Sequence, residues 1–344
     1  MHIRAIIGLL LVAALSACGG GSGGSQIPLG SNNSQNSGAG LAGDAPPAPT
    51  TARSWKVDAG ASRRDGALQG LDFYSSTIVI DEGDSVTWTS ASIHTVSFLE
   101  GTNLTPFTAP PIAAGGTTED GTAFTSSGVL APGQTYTLTF PKAGTYVYYC
   151  LLHPPEMTGT IVVQHAGTPY PHSQGYYTGQ GNAAANQDLS AAQGSIALFP
   201  FPDGGTTLAA GISPGLSSLP PSTASVWRFL DSDTLTSETT ITIPVNTTLT
   251  WVNESNNEPH TVTLPVAGQP LPPLPGDPFT PPMGIVQNGV NIYDGTQVTN
   301  SGPFGTAVGF GSNSYSLKFT KAGTYTYFCL FHDAFGMEGT VIVQ

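Results

Sequence analysis

The sequence predicts an all-β protein: two β-sandwiches in tandem, carried behind a disordered tether. Three features lead there. Gly (43) and Pro (29) are abundant among the 344 residues and charged residues amount to only 9%, a mixture that suits short strands and turns better than helices, which favour Ala, Leu, Glu and Lys. Apolar and polar residues alternate in runs such as TYTLTF from Thr135, the mark of a half-buried strand. Third, the chain contains itself twice. KAGTYVYYCLLH from Lys142 returns as KAGTYTYFCLFH from Lys321, TIVIDEGDSVTWT from Thr77 as TITIPVNTTLTWV from Thr240, and MTGTIVVQ from Met157 as MEGTVIVQ from Met337. A repeat of this length is a duplicated domain rather than a solenoid unit.

Taken in order, residues 1–17 have the layout of an export signal. His2 and Arg4 precede the apolar run AIIGLLLVAAL, which is too short to span a bilayer and ends at LSAC. The LSAC box resembles that of bacterial lipoproteins, which implies cleavage before Cys18, a lipid on its sulfur, and an extracytoplasmic protein anchored to a membrane. Residues 18–51 are Gly, Ser, Asn and Pro with almost no large apolar side chain, hence a disordered tether with a reach of about 30 Å. The first domain is expected over 52–164. Its strands include Thr77–Ile80 and Val86–Trp88 around the turn DEGD, with Trp88 in the core. A linker follows over 165–222, with an early strand of the second domain at SIALFPF from Ser195. The second domain runs over 223–344, with Trp251 in its core and longer loops, chiefly the Pro-rich stretch LPPLPGDPFTPPMG between His260 and Tyr315.

The formal net charge of −13 argues against nucleic acid, whose binding relies on Lys and Arg at phosphates, and suits a basic partner protein.

The scarce residues carry the chemistry. The chain has seven His, three Cys and four Met. With Cys18 assigned to the lipid, Cys150 and Cys329 stand at matched places, each with a His three residues on, His153 and His332, and a Met beyond, Met157 and Met337. The Trp-bearing strands add His94 and His260, both in His-Thr-Val. Each repeat thus offers two imidazoles, one thiolate and one thioether. Two His and a Cys in a trigonal array, with a weak axial Met, make a blue-copper electron-transfer site. Period-two geometry puts Tyr146, Tyr148 and Cys150 on one strand face, so the sulfur points into the core.

Both repeats resemble plastocyanin-type cupredoxins, on the His of His-Thr-Val, the Cys and His of Cys-x-x-His, and the Met two before Gly-Thr. The resemblance implies two Greek-key sandwiches with one type 1 copper each, ligated by His94, Cys150, His153 and axial Met157, and by His260, Cys329, His332 and axial Met337. It also implies that the His153 and His332 ring edges reach the surface as electron ports, ringed by apolar docking patches of Leu152, Pro154, Pro155, Phe331 and Phe335. A second route is implied beside Tyr149 and Phe328. Thr95 and Thr261 depart from the family, which usually has Asn after the first His, so the hydrogen bonding around the ligands is expected to differ.

Other readings are weighed against this one. A Cys150–Cys329 disulfide would need matching core positions of two domains to meet. Zinc prefers a closed tetrahedron of strong ligands, which a single Cys with a thioether does not offer. Multicopper oxidases and copper nitrite reductases need further His, yet the chain has no His-x-His, and Tyr149 and Phe328 precede the two Cys. A copper carrier or storage role stays open, although Met-rich and paired-Cys motifs are missing. No catalytic residue is assigned and the chain is read as a non-enzyme. His165 and His172 are expected on the linker surface, Met283 in a loop, and Glu119 and Asp120 as solvated loop charges.

Overall fold

The computed structural model describes residues 51–102, 114–153, 157–198, 205–214, 223–231, 239–255, 258–270, 291–305 and 310–344. The expected signal and tether, Pro154, Pro155 and Met283 lie outside them. Both repeats belong to one compact unit, almost entirely β.

The first repeat contains β1 (Ser54–Arg63), β2 (Leu68–Tyr74), β3 (Thr77–Asp81), β4 (Ser85–Ser90), β5 (Ser97–Phe98), β6 (Thr125–Ser126), β7 (Thr135–Thr139), β8 (Gly144–Tyr149) and β9 (Thr158–Gln164). Helix α1 (Gln174–Leu198) follows. The second repeat contains β10 (Thr207–Ile212), β11 (Ser225–Leu230), β12 (Thr239–Ile243), β13 (Thr248–Glu254), β14 (Thr263–Leu264), β15 (Ile292–Tyr293), β16 (Thr299–Asn300), β17 (Ser314–Phe319), β18 (Gly323–Phe328) and β19 (Glu338–Val343).

Each repeat builds one five-stranded sheet of its own, β3-β9-β8-β5-β6 and β12-β19-β18-β14-β16. The facing sheets are not separate. They are halves of a single nine-stranded sheet, β15-β17-β13-β10-β11-β2-β1-β4-β7, joined where β2 pairs antiparallel with β11 through Leu68–Val226 and Gln69–Ser225. The period-two pattern puts aromatic residues inside each sandwich. Trp88 packs edge-on to Tyr148 at 5.2 Å and Trp251 to Tyr327 at 5.1 Å. Both tryptophans are fully buried, as the sequence predicts.

The stretch expected as a linker is built differently. It carries the 25-residue helix α1, and the strand before β11 is Thr207–Ile212, while Ser195–Leu198 of SIALFPF closes the helix. Tyr177, Gly181, Asp188, Leu189, Ala192 and Ile196 are buried at three- and four-residue spacing, one helix face. Gly181 and Ala192 on this face let the helix lie close to the sheet. A Cβ on Gly181 would stand 2.9 Å from the Tyr74 carbonyl carbon. Leu189, Ala192 and Ile196 share an apolar cluster with Leu68, Ala209, Ile212, Val226 and Leu230, so the helix covers the seam where the repeats join. Arg228 ties the same seam from the other direction, donating from Nη1 to the Phe335 carbonyl at 2.5 Å and from Nη2 to the Asp65 carbonyl at 3.0 Å.

Glu119 also differs from expectation. It is buried, and its Oε1 accepts the Gly121 N–H at 2.7 Å, closing the turn that Asp120 leaves to solvent. His165 stands on the surface, 3.4 Å from Glu82, and His172 stacks on Tyr176 at 3.7 Å.

Two predictions concern the helix. Ile196→Ala removes a fully buried side chain from the seam and is expected to lower the unfolding free energy by about 2–4 kcal/mol, measured by denaturant titration. Asp72 lies under the helix beside the Tyr74–Asp188 hydrogen bond of 2.7 Å. Burial, partly offset by the Phe73 N–H and reinforced by Asp188, pushes its carboxyl up to about 7. The folded chain therefore holds this proton where the unfolded chain has lost it, and stability falls as pH rises from about 4 through about 7. Asp72→Asn is expected to raise the melting temperature more at pH 8 than at pH 5; an equal gain at both would contradict this.

Candidate metal centre

Each repeat brings one Cys and two His together at the same end of its sandwich. His94 sits on a short bridge to Leu130, held by backbone hydrogen bonds of 3.2 and 2.8 Å, and His260 on the matching bridge to Phe304, at 3.2 and 2.9 Å. Cys150 and Cys329 immediately follow β8 and β18. Their N–H groups donate to the Met157 and Met337 carbonyls, each at 3.0 Å. That hydrogen bond closes the loop carrying His153 or His332 and sets the Met beside the Cys.

The same contacts brace the described residues of both sites. Thr95 and Thr261 replace the Asn usual in the resembled family, and the structure shows what they do. Their N–H groups donate to Cys150 and Cys329 Sγ at 3.4 Å, while their hydroxyls accept the Leu151 and Leu330 N–H at 2.7 and 2.8 Å. Ser127 and Ser301 brace the next residue, accepting the Val96 and Val262 N–H at 2.9 and 2.8 Å. In the second repeat Asp333–Phe335 form one 3₁₀ turn that ends at Gly336, whose φ of 78° suits glycine.

The donor atoms converge. Cys150 Sγ lies 3.2 Å from His153 Nδ1 and 3.9 Å from His94 Nδ1, and the two Nδ1 atoms are 3.0 Å apart. The corresponding distances are 3.4 Å to His332, 3.7 Å to His260, and 3.2 Å between the imidazoles. Met157 and Met337 are fully buried in the same cores. Cys150 and Cys329 are free thiols. Burial pushes both thiols up to about 11 and His153 and His260 down to about 3. It also holds His94 and His332 well below the usual imidazole range, aided by their His neighbours. Neutral imidazoles whose Nδ1 atoms gather beside one buried sulfur fit a metal ion that would itself hold the thiolate. Among the described residues two such His–Cys–His groups occur, one per repeat.

Two glycines make room for them. β1 bulges at Gly60 (φ 79°) and β10 at Gly211 (φ 72°), and a Cβ there would stand 2.0 Å from His94 Nε2 and 2.1 Å from His260 Nε2. The bulge brings bare backbone against the ring.

The ring edges of His153 and His332 do not reach the surface as expected: the residues are 3% and 4% exposed. They face each other across the junction of the repeats. Between them stands Glu258, 3% exposed, with Oε1 3.3 Å from His153 Nε2 and Oε2 3.4 Å from His332 Nε2. Trp227 stacks on His332 at 4.2 Å and lies near-parallel to His153 at 6.4 Å. Phe335 is likewise buried, against Trp227 at 5.0 Å. Leu152 and Phe331 instead join Ile93, Pro259, Pro303 and Phe310 around one pocket of about 210 Å³ over both histidine edges. Sequence reasoning passed over Glu258 and Trp227, although the repeat held a signal. Glu258 occupies the place two before His260 that Ser92 holds before His94, and Ser92 Oγ is 2.9 Å from His94 Nε2. By strand register Phe229 matches Phe73, so Trp227 stands where the first repeat has Leu71.

The family model "Copper binding proteins, plastocyanin/azurin family" matches residues 61–164 and 231–344. Plastocyanin from Scenedesmus fuscus is 61% identical over 31 residues, covering 9% of this chain and 32% of the plastocyanin; the chain thus spans about a third of that relative's length. Among solved structures, a Met-to-Gln variant of amicyanin in the Cu(I) state is 24% identical, covering 32% of this chain and 82% of its own, with a TM-score of 0.23. An oxidised Pro-to-Ala variant of amicyanin is 26% identical, covering 35% and 92%, with a TM-score of 0.23.

Gly60→Ala is expected to drive the new methyl into His94 and to remove metal uptake at the first of the two candidate sites, measured by metal analysis of the protein after incubation with copper. Undiminished uptake would show that the ring can step aside.

Proposed function

The chain belongs to the plastocyanin/azurin family of copper-binding proteins, and from that premise we propose that it is a two-centre electron carrier outside the cytoplasm, not an enzyme. The observation that carries the reading is the duplicated, fully buried Cys–His–His group with a Met packed beside each. Cys150, His94 and His153 would hold one type 1 copper together with Met157, and Cys329, His260 and His332 would hold the other together with Met337.

Copper, when bound, supplies a one-electron couple between Cu(II) and Cu(I). The protein's part is to keep the donors still while the charge changes. The Thr95 and Thr261 N–H groups would stabilise the thiolates and tune their potential. The bridges that hold His94 and His260, and the Met157 and Met337 carbonyls that close the ligand loops, leave little room for rearrangement. Burial excludes water and competing ligands. Electrons would enter where apolar Leu152, Phe331 and Phe310 surround the shared pocket, with a soluble redox protein docking there; the net charge of −13 suits a basic partner. No described helix is long and apolar enough to cross a membrane, and a lipid on Cys18 would provide the anchor, with residues 18–51 as tether.

A soluble form beginning near Thr51, loaded with Cu(II), is expected to bind two coppers per chain and to show an intense thiolate-to-copper band. Cys150→Ser is expected to remove about half of that band, one of two equivalent thiolate sites. A colourless protein would contradict the reading, and rapid loss of copper to a chelator would favour carriage over electron transfer.

A further inference from the structure

The two repeats share one arrangement around their sites, and two of the places where they differ meet in the same space. Glu258 replaces the serine that holds the first histidine of the other repeat, and Trp227 replaces Leu71. The first exchange has a local cost. Among the described residues His260 Nε2 is buried without a hydrogen-bond partner, whereas Ser92 serves His94. Glu258 has left its own repeat's His260 to lie between His153 and His332, and Trp227 lies along the faces of the same two rings. A carboxyl group with almost no exposed surface needs partners that justify its burial; its Oε1 makes no hydrogen bond among the described residues, and the outer nitrogens of one candidate ligand from each centre lie 3.3 and 3.4 Å from its two oxygens.

We propose that the two centres exchange electrons within one chain, along Cys150–His153–Glu258–His332–Cys329, with Glu258 as the positioning residue that fixes both rings and Trp227 filling the space beside them. This rests on the electron-carrier reading above. The path is covalent except for two gaps at Glu258, of 3.3 and 3.4 Å, and the short steps between each histidine and its cysteine, 3.2 and 3.4 Å, which shared coordination would close. In the step one electron leaves the reduced centre and enters the oxidised one. The first is oxidised and the second reduced, the summed charge of the pair is unchanged, and no proton is exchanged with solvent. The chain then accepts an electron at either centre and releases it from the other.

The test uses the copper-loaded chain carrying Met337→Leu, because the axial position tunes the potential and so separates the two centres. A brief pulse of a reducing radical supplies less than one electron per chain, and the later redistribution is followed in the visible band. The proposal expects a first-order relaxation whose rate does not change with protein concentration. Adding Glu258→Gln keeps the side chain's volume but leaves only one oxygen for two rings; with copper content and band intensity retained, it is expected to slow the relaxation at least about tenfold. A relaxation rate proportional to protein concentration, or a Glu258→Gln chain that relaxes as fast as its parent, overturns the proposal and leaves the carrier reading standing. A chain that binds no copper, or shows no reversible one-electron step in a potential titration, overturns both.

Discussion

Glu258 is a carboxylate with almost no contact with water, and its two oxygens face imidazoles that belong to different sandwiches, at 3.3 and 3.4 Å. Such an arrangement demands that the two sandwiches keep one fixed relation, since the Glu258 carboxyl group is buried and its Oε1 makes no hydrogen bond among the described residues. The rest of the junction meets that demand. β2 and β11 fuse the inner sheets into one, α1 lies over the seam, and Arg228 links β11 to the ligand loop of its own repeat and to the Asp65 turn of the other. An ordinary tandem of domains on a flexible linker would meet none of these conditions.

The same arrangement changes what a histidine edge is for. In a single sandwich the resembled family presents that edge to a partner. Here the two edges are turned toward each other and roofed by one apolar pocket, so an incoming protein would meet Leu152, Phe331 and Phe310 before either ring. Both proposed centres then share one entrance, and the pseudo-symmetry of the repeats is broken at Glu258 and Trp227, the two residues that occupy the space between them.

Much of this was legible in the sequence, and the part that was not has a physical reason. The candidate ligand sets stood out because copper chemistry would leave few choices: Cys150, His153 and Met157 lie close in sequence around one loop, His94 comes from a neighbouring strand, and the second repeat carries the same pattern. The sandwich class followed from strand alternation and turn residues. Helix α1 was hidden because QGYYTGQGNAAANQDLSAAQGSIAL has no large apolar stripe; its buried face relies on Gly181 and Ala192, and tertiary packing supplies what propensity does not. The pairing of β2 with β11 joins residues far apart in sequence through only two registered pairs, which no local pattern announces. The inward turn of His153 and His332 depended on that pairing, so ring edges expected at the surface are found buried.

Copper ions bound at both proposed centres would face each other across Glu258. Electron paramagnetic resonance of the fully oxidised, copper-loaded chain tests this most directly. Two Cu(II) ions held across one carboxylate should broaden each other's signal through dipolar coupling, and the broadening should vanish when Cys150→Ser or Cys329→Ser removes one ion. A doubly loaded chain whose spectrum equals the sum of the two single-site spectra, with no broadening at any dilution, would place the centres far apart and contradict the account.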